Sequence, residues 1–228
     1  MAISMVSYVL TRSKRKTISI QITEKGVMVK APTNCPIGEI EGFLQKKSDW
    51  ISKNLAQMQQ RADKKAAFSL NYGSDILLFG NNYPIVARQG IRTGFDSNCF
   101  YMPPGLTPDA IRNCCIKVYK ILAKKCFTDR VYHFSQMMGV VPTAVKVNSA
   151  KTRWGSCSSA KSLNFSWRLA MAGDTIIDYV IVHELAHIYH MNHSPKFWAT
   201  VEAVIPDYKA CRAGLKELQQ KLSQEDWG

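Results

Sequence analysis

Residues 183–193 read His183-Glu184-Leu185-Ala186-His187-Ile188-Tyr189-His190-Met191-Asn192-His193, and they hold four of the 5 histidines in the chain. Upstream, Thr175 and Asp178 have the spacing of a capping box, which predicts that a helix begins there. Apolar residues then recur on more than one side of the helix, as in a helix that runs through a core. They are Ile176, Ile177, Val180, Ile181, Leu185 and Ile188. We therefore expect an HExxH motif on a buried helix.

The HExxH spacing predicts a metal site. His183 and His187 are four residues apart, so their side chains leave one face of the helix about one turn apart and can share one ion. Glu184 is angled toward the water on the metal, as a general base requires. The expected ion is Zn2+, which in enzymes takes three protein ligands and keeps a fourth position open. Chance histidines are the alternative, but burying three ionisable groups without a metal would be costly.

Three residues compete to be the third ligand. His193 lies ten residues after His183, which is the spacing of the pattern HExxHxxGxxH, although this chain has His190 where that pattern has glycine. A straight helix would place His190 about 10 Å further along the axis than His183. Glu202 lies on the following predicted helix, from which a carboxylate ligand can come. We favour His193 on its spacing.

Because glycine is missing at position 190, another residue is expected to turn the chain after the motif. Asn192 is the residue that we expect in the left-handed conformation instead. Ser194 and Pro195 have the residue types that are preferred at the cap and first position of a helix. His193 would then be held at a fixed corner between two helices.

Residues around the motif are candidates for contact with a substrate or with the ligands. Arg153-Trp154-Gly155-Ser156-Cys157 precedes a predicted strand, Ser162–Leu169. A strand beside an active helix can pair with an extended peptide, and an arginine can steady a carboxylate or a carbonyl. Core packing is the alternative for the aromatic residues, and a buried structural thiol is the alternative for Cys157. The candidates are Trp154, Arg168, Tyr189 and His190, with Tyr179 and Tyr189 as possible contacts of a reaction oxyanion.

The rest of the chain predicts an α+β fold in two regions. Residues 1–105 form a β-rich region with a long helix, and residues 106–228 carry the HExxH helix next to a small sheet. Pro103-Pro104-Gly105 is the expected boundary. The first region has strands at Ser7–Arg12, Lys16–Thr23, Val27–Ala31, Ile76–Phe79, Tyr83–Arg88 and Asn98–Met102, and a helix from Pro36 through Met58. The second region opens with a helix from Pro108 to Gly139.

Composition bounds the location and the partners. The chain of 228 residues carries 30 Lys+Arg against 17 Asp+Glu, and its net charge of +13 would attract nucleic acid or simply form a solvated basic surface. The 7 cysteines are irregularly spaced and include no CxxC pair, which suits a reducing compartment. No secretory signal is recognisable in Met1–Thr11, and no apolar run is long enough for a membrane span. We therefore expect a cytoplasmic protein that does not bind membranes.

These motifs together resemble the YgjP-like metallopeptidase family, which is related to the SprT-like and other zincin proteases. The matching pieces are Arg12–Lys16, Asp49–Ile51, Arg153–Cys157, Trp167–Leu169, Asp178–Val180, His183–His187, Asn192–Ser194, Phe197–Trp198 and Pro206–Tyr208. The resemblance implies a zincin-like C-terminal part with zinc on His183, His187 and His193 and with Glu184 as the base. SprT-like proteases act on proteins crosslinked to DNA, which by analogy would suit a basic chain.

The sequence therefore predicts a zinc-dependent metallopeptidase that hydrolyses peptide bonds in a protein or peptide substrate. The alternative is a basic nucleic-acid- or partner-binding protein whose zinc site is structural or catalytically silent. The fourth zinc position separates the two hypotheses, because an enzyme leaves it open and a structural site fills it with a protein ligand.

Overall fold

The computed structural model describes residues 7–23 and 25–228. Residues 1–6, which belong to the segment where no secretory signal is predicted, and Glu24 lie outside the described residues. The chain forms two compact units, Met1–Phe68 and Ser69–Gly228. Gly105, the expected end of the first region, is part of the second unit.

The first unit is a three-stranded sheet with two helices. Strands β1 (Tyr8–Ser13), β2 (Ser19–Thr23) and β3 (Gly26–Pro32) form a sheet in the order β1-β3-β2, in which β3 is parallel to β1 and antiparallel to β2. The three strands predicted here are confirmed. Alternate residues of β3 face the core, where they pack with one buried isoleucine from each helix. The buried set is Val27, Val29, Ala31, Cys35, Ile40 and Ile51.

The single helix predicted to start after Pro36 is in fact two helices. Helix α1 (Ile37–Lys46) and helix α2 (Ser48–Ala67) are separated at Lys47, whose φ of −109° and ψ of 10° are not helical. Lys47 ends α1 through its N–H, which bonds to Leu44, and begins α2 through its carbonyl, which accepts from Ile51. Both helices place apolar residues in the same core. Because the hydrophobic pattern continues across Lys47, the break between the helices cannot be recognised from this pattern.

The second unit begins with a four-stranded sheet and a long helix. Strands β4 (Asp75–Leu78), β5 (Asn81–Ala87), β6 (Gly94–Phe95) and β7 (Phe100–Met102) have the order β4-β5-β7-β6. Helix α3 (Pro108–Met138) is capped by the Thr107 hydroxyl and ends at Gly139, whose φ of 66° is left-handed, so both predicted ends are confirmed. Among the described residues, no helix has the length and apolar character that a membrane span requires.

A smaller sheet and three helices complete the second unit. Strands β8 (Ala144–Asn148), β9 (Gly155–Cys157) and β10 (Ser162–Ser166) have the order β8-β10-β9, with β9 at one end. The predicted strand Ser162–Leu169 is wrong in its last three residues, because Trp167–Met171 forms a 3₁₀ helix. Helices α4 (Asp174–Ala186), α5 (Pro195–Val204) and α6 (Tyr208–Leu222) follow, and α4 carries the HExxH motif. The α+β class, with this helix next to a small sheet, is confirmed.

Helix α4 begins differently from the sequence prediction. Its N-cap is Gly173, no side chain caps it, and Thr175 lies inside its first turn, so the predicted capping box is wrong. Asp178 pairs instead with Arg130 of α3, which also pairs with Asp174. Asp178, which the sequence pattern assigns to helix initiation, therefore fastens α4 to the long helix α3 together with Asp174.

Candidate metal centre

Three histidines converge at the C-terminal end of α4. His183 lies in its last turn, His187 is the residue after it, and His193 comes two residues before α5. The Nε2 atoms of His183 and His193 are 3.1 Å apart. One nitrogen from each of the three rings lies within 4.8 Å of the others. The 3.1 Å separation suits two ligands of one ion, since each metal–nitrogen bond is about 2 Å long, and the third nitrogen lies close enough to join them after a small side-chain movement.

The Nδ1 atoms of His183 and His187 face hydrogen-bond partners. His187 Nδ1 is 3.0 Å from the carbonyl oxygen of His190, to which it can only donate. His183 Nδ1 is 3.4 Å from the Tyr179 hydroxyl. A donating Nδ1 fixes the tautomer and leaves the Nε2 lone pair for a metal. Tyr179 and the backbone of His190 therefore orient the first two rings of the motif.

Burial keeps the motif histidines neutral. Burial, with smaller contributions from the neighbouring His187, His193 and Arg212, lowers the pKa of His183 to about 3. Burial also lowers the pKa of His187. A neutral imidazole is the form that binds a metal ion. Three imidazole nitrogens form a donor set that suits zinc and several other transition metals.

Helix α5 supplies an aromatic wall for the three rings. Phe197 is fully buried, and its ring centre lies 4.9 Å from that of His183, 4.6 Å from that of His187 and 4.8 Å from that of His193. The Ser194 hydroxyl accepts from the Phe197 N–H at the start of α5, as predicted for a cap. One apolar ring, fixed by the first turn of the helix, thus contacts all three histidines.

The turn between α4 and α5 does not use Asn192 as expected. The non-glycine residues with positive φ in the described ranges are Phe79, Ser97 and Lys161, so the left-handed conformation predicted for Asn192 is wrong. The N–H groups of Tyr189 and His190 both bond to the Ala186 carbonyl, which tightens the last turn. This tightening turns the chain without a left-handed residue.

Glu184 is buried between α4 and strand β9. It is 6% exposed, and burial raises its pKa to about 7, an effect that Arg153 partly offsets. Gly155 of β9 leaves the space for this side chain, because a Cβ built there would lie 2.6 Å from Glu184 Oε1 and 2.7 Å from its Cγ. A carboxylate with a pKa near 7 can accept and return a proton at neutral pH.

The other predicted site residues lie outside the three-histidine group. Trp154 is partly buried just before β9, where its carbonyl accepts the Ser166 N–H. The Tyr189 hydroxyl donates to the Met138 carbonyl at 2.8 Å and so joins the end of the motif to α3. Neither His190 nor the exposed Glu202 joins the three-histidine group in the described part of the chain.

Arg168 lies in a polar cradle formed by main-chain carbonyls. It is 7% exposed, and its guanidinium donates to the carbonyls of Ser149, Trp227 and Gly228. It also lies 4.5 Å over the Trp167 ring. These contacts hold the C-terminal residues against the 3₁₀ helix, and the role in substrate binding stays a prediction.

Sequence reasoning missed Arg212, a cation of α6 close to the histidines. Its guanidinium carbon lies 4.9 Å from the ring centre of Trp198, which stacks on His193. No local spacing connects Arg212 with the HExxH motif. The sequence offers only a weaker indication than the HExxH spacing. Arg212 belongs to the helix that follows the aromatic pair Phe197-Trp198.

Comparison with known proteins identifies the family. The family model described as YgjP-like, metallopeptidase domain, matches residues 16–218. No curated protein matches the chain. Solved structures that match include the metallopeptidase zymogen abylysin of Pyrococcus abyssi, with 21% identity and a TM-score of 0.38 over 43% of this chain and 97% of that one. The metallopeptidase zymogen jannalysin of Methanocaldococcus jannaschii has 22% identity and a TM-score of 0.36 over 42% of this chain and 96% of its own. The chain belongs to the YgjP-like metallopeptidase family, whose members are peptidases with a metal cofactor.

Proposed function

We propose that this metallopeptidase uses zinc, bound by His183, His187 and His193, and that Glu184 is its general base. The observation that carries the proposal is the convergence of three histidine ring nitrogens beside a buried carboxylate. Within the described residues, the group of possible ligands contains no fourth His, Cys, Asp or Glu. A three-ligand site is typical of catalytic rather than structural zinc.

The residues of the chain then account for each step of peptide hydrolysis. When bound, zinc polarises the substrate carbonyl and makes a water molecule more acidic. Glu184 takes a proton from the water as its oxygen bonds to the carbonyl carbon, and the electrons of the C=O bond move to the carbonyl oxygen. When the carbonyl re-forms, the C–N bond breaks and Glu184 returns the proton to the leaving amine. Phe197 excludes water from the inner side of the three rings.

Strand β9 is the proposed platform for the substrate. It pairs with β10 on one side and is the terminal strand of its sheet. An extended peptide can add to such an edge through main-chain hydrogen bonds. Because Gly155 in this strand abuts Glu184, a peptide aligned along β9 passes close to the base.

Replacing Gly155 by alanine is expected to lower kcat by about 10²-fold, since a displacement of about 1 Å in a catalytic group can cost that much. The atoms that the new methyl group meets belong to the Glu184 side chain, so the carboxylate should move while the backbone and the bound metal stay. Peptide cleavage kinetics and metal content check this. Gly38→Ala is the control, because a Cβ there meets nothing within 4 Å. Equal activity of Gly155→Ala and Gly38→Ala would contradict the proposed packing.

Zinc dependence is the direct test of the proposed function. We expect purified protein to bind one zinc ion per chain, to cleave unfolded protein substrates, to lose cleavage on chelation and to regain it with zinc. Metal analysis and detection of new N-termini by mass spectrometry measure both properties. Full zinc occupancy without cleavage of any peptide would favour the silent-site alternative.

Nucleic-acid binding remains a prediction from the net charge of +13. The family match concerns peptidases and gives this partner no support.

A further inference from the structure

Arg212 lies over an aromatic ring that packs beside the three histidines. It lies near the start of α6, with its guanidinium carbon 4.9 Å from the ring centre of Trp198. The Trp198 ring stacks on His193, with centres 5.6 Å apart and 23° between the planes, and it also stacks on Tyr208. A planar guanidinium on an aromatic face loses much of its orientational freedom before any ligand arrives. Arg212 is therefore preorganised, and its platform touches a proposed zinc ligand.

The charge of Arg212 is left for a ligand outside the chain. The residue is exposed, and across residues 7–23 and 25–228 its guanidinium forms no ion pair and no hydrogen bond. Other arginines of this unit are satisfied: Arg130 pairs with two aspartates, and Arg168 donates to three carbonyls. An arginine that keeps its charge and its donors at the rim of a catalytic centre can bind a negatively charged oxygen.

Arg212 and Glu184 approach the histidines from different elements. Glu184 faces β9, where Gly155 leaves space for it. Arg212 comes from α6 and lies over the Trp198 ring of α5, which stacks on His193. Hydrolysis of an amide uses two separate groups, because the proton is taken from the attacking water while negative charge accumulates on the carbonyl oxygen.

We propose that Arg212 is a catalytic residue that donates hydrogen bonds to the substrate carbonyl oxygen as this oxygen becomes an oxyanion. The inference rests on the proposed peptidase function and adds a second protein group to it. Arg212 transfers no proton: it stabilises the charge on oxygen until the carbonyl re-forms and the C–N bond breaks. Because the charge exists in the transition state and not in the substrate, Arg212 acts on kcat more than on KM.

The test compares wild type with Arg212→Met in the full zinc-loaded chain. We expect kcat to fall by about 10²–10³-fold, the usual cost of one lost oxyanion donor, with KM changed less than about threefold. A second readout needs no turnover: binding of the phosphinic pseudopeptide acetyl-Phe-ψ[PO2-CH2]-Leu-amide, whose anionic tetrahedral group resembles the transition state, measured by calorimetry. Its affinity should fall by about 10²-fold, whereas that of imidazole, a neutral zinc ligand, should not change.

Two further variants separate this role from a structural one. Lys216→Met removes one positive charge from an exposed position of the same helix and should behave as wild type. Arg212→Lys keeps the charge and should recover at least about tenfold of the lost phosphinate affinity. The proposal would be overturned if Arg212→Met kept the kcat and the phosphinate affinity of wild type. It would also be overturned if this variant lost zinc, because Arg212 would then serve to hold His193 in place. If wild type cleaves no peptide, the proposed function fails, yet selective loss of phosphinate binding would still support an oxyanion-binding Arg212.

Discussion

Replacing Glu184 by glutamine is expected to lower kcat by about 10²–10⁴-fold, the range that positioned proton transfer contributes, while zinc stays bound. Glutamine has nearly the size and shape of glutamate, so it fits the space beside Gly155 that the native side chain fills. The amide group is not basic at neutral pH and cannot take the proton from the attacking water. Glu184 is not part of the three-histidine group, so the metal ligands stay intact. Cleavage kinetics and metal analysis on the same preparation check both parts.

Glu202→Gln is the matched control for this experiment. It makes the same chemical change at an exposed position of α5 outside the histidine group, and we expect wild-type kinetics from it. A Glu184→Gln variant that cleaves within about threefold of wild type would remove Glu184 as the base. A variant that loses zinc would instead show that Glu184 helps to hold the ion.

The parts of the site that the sequence could predict are those fixed by local geometry. His183 and His187 are one helical turn apart, and helical spacing alone brings their rings to one face. The Ser194 cap is equally local, since hydroxyl and N–H are separated by three residues. His193 was reached through its distance from His183 in a known pattern, even though the turn expected to place it was wrong. The tightened end of α4 reaches the same corner by another route.

The parts that the sequence could not predict depend on contacts between distant residues. Asp178 has the spacing of a capping residue, but its partner is Arg130, 48 positions away. Gly155 is a plain glycine in the sequence, and only the packing of β9 on α4 shows that it makes room for Glu184. Arg212 reaches the centre because α6 packs against α4. Hydrophobic periodicity predicts which face of a helix or strand is buried, but it does not predict which other element packs against that face.

The sequence left the third ligand open between His193, His190 and Glu202, and the geometry supports the proposal of His193. His193 Nε2 faces His183 Nε2 at 3.1 Å. His190 takes part through its main-chain carbonyl, which accepts from His187 Nδ1. Glu202 lies on the exposed face of α5, whereas Phe197, one turn or more earlier, is the residue of this helix that contacts the histidines. Removing the side chain of His193 should therefore weaken zinc binding, whereas removing the imidazole of His190 should not.

Replacing His193 by alanine is expected to weaken zinc binding by more than about 10²-fold, since loss of a direct ligand should exceed the 10–100-fold cost of losing an outer partner. His193 is exposed, so the fold should survive and the loss should appear in metal affinity rather than in unfolding temperature. Zinc titration against a competing chelator measures the affinity, and thermal unfolding of the metal-free proteins measures the fold. His190→Ala is the control, because alanine keeps the carbonyl that His187 uses, and it should bind zinc as wild type does. Unchanged affinity in His193→Ala would exclude His193 as a ligand. A loss of affinity in His190→Ala or Glu202→Ala would then identify the third ligand.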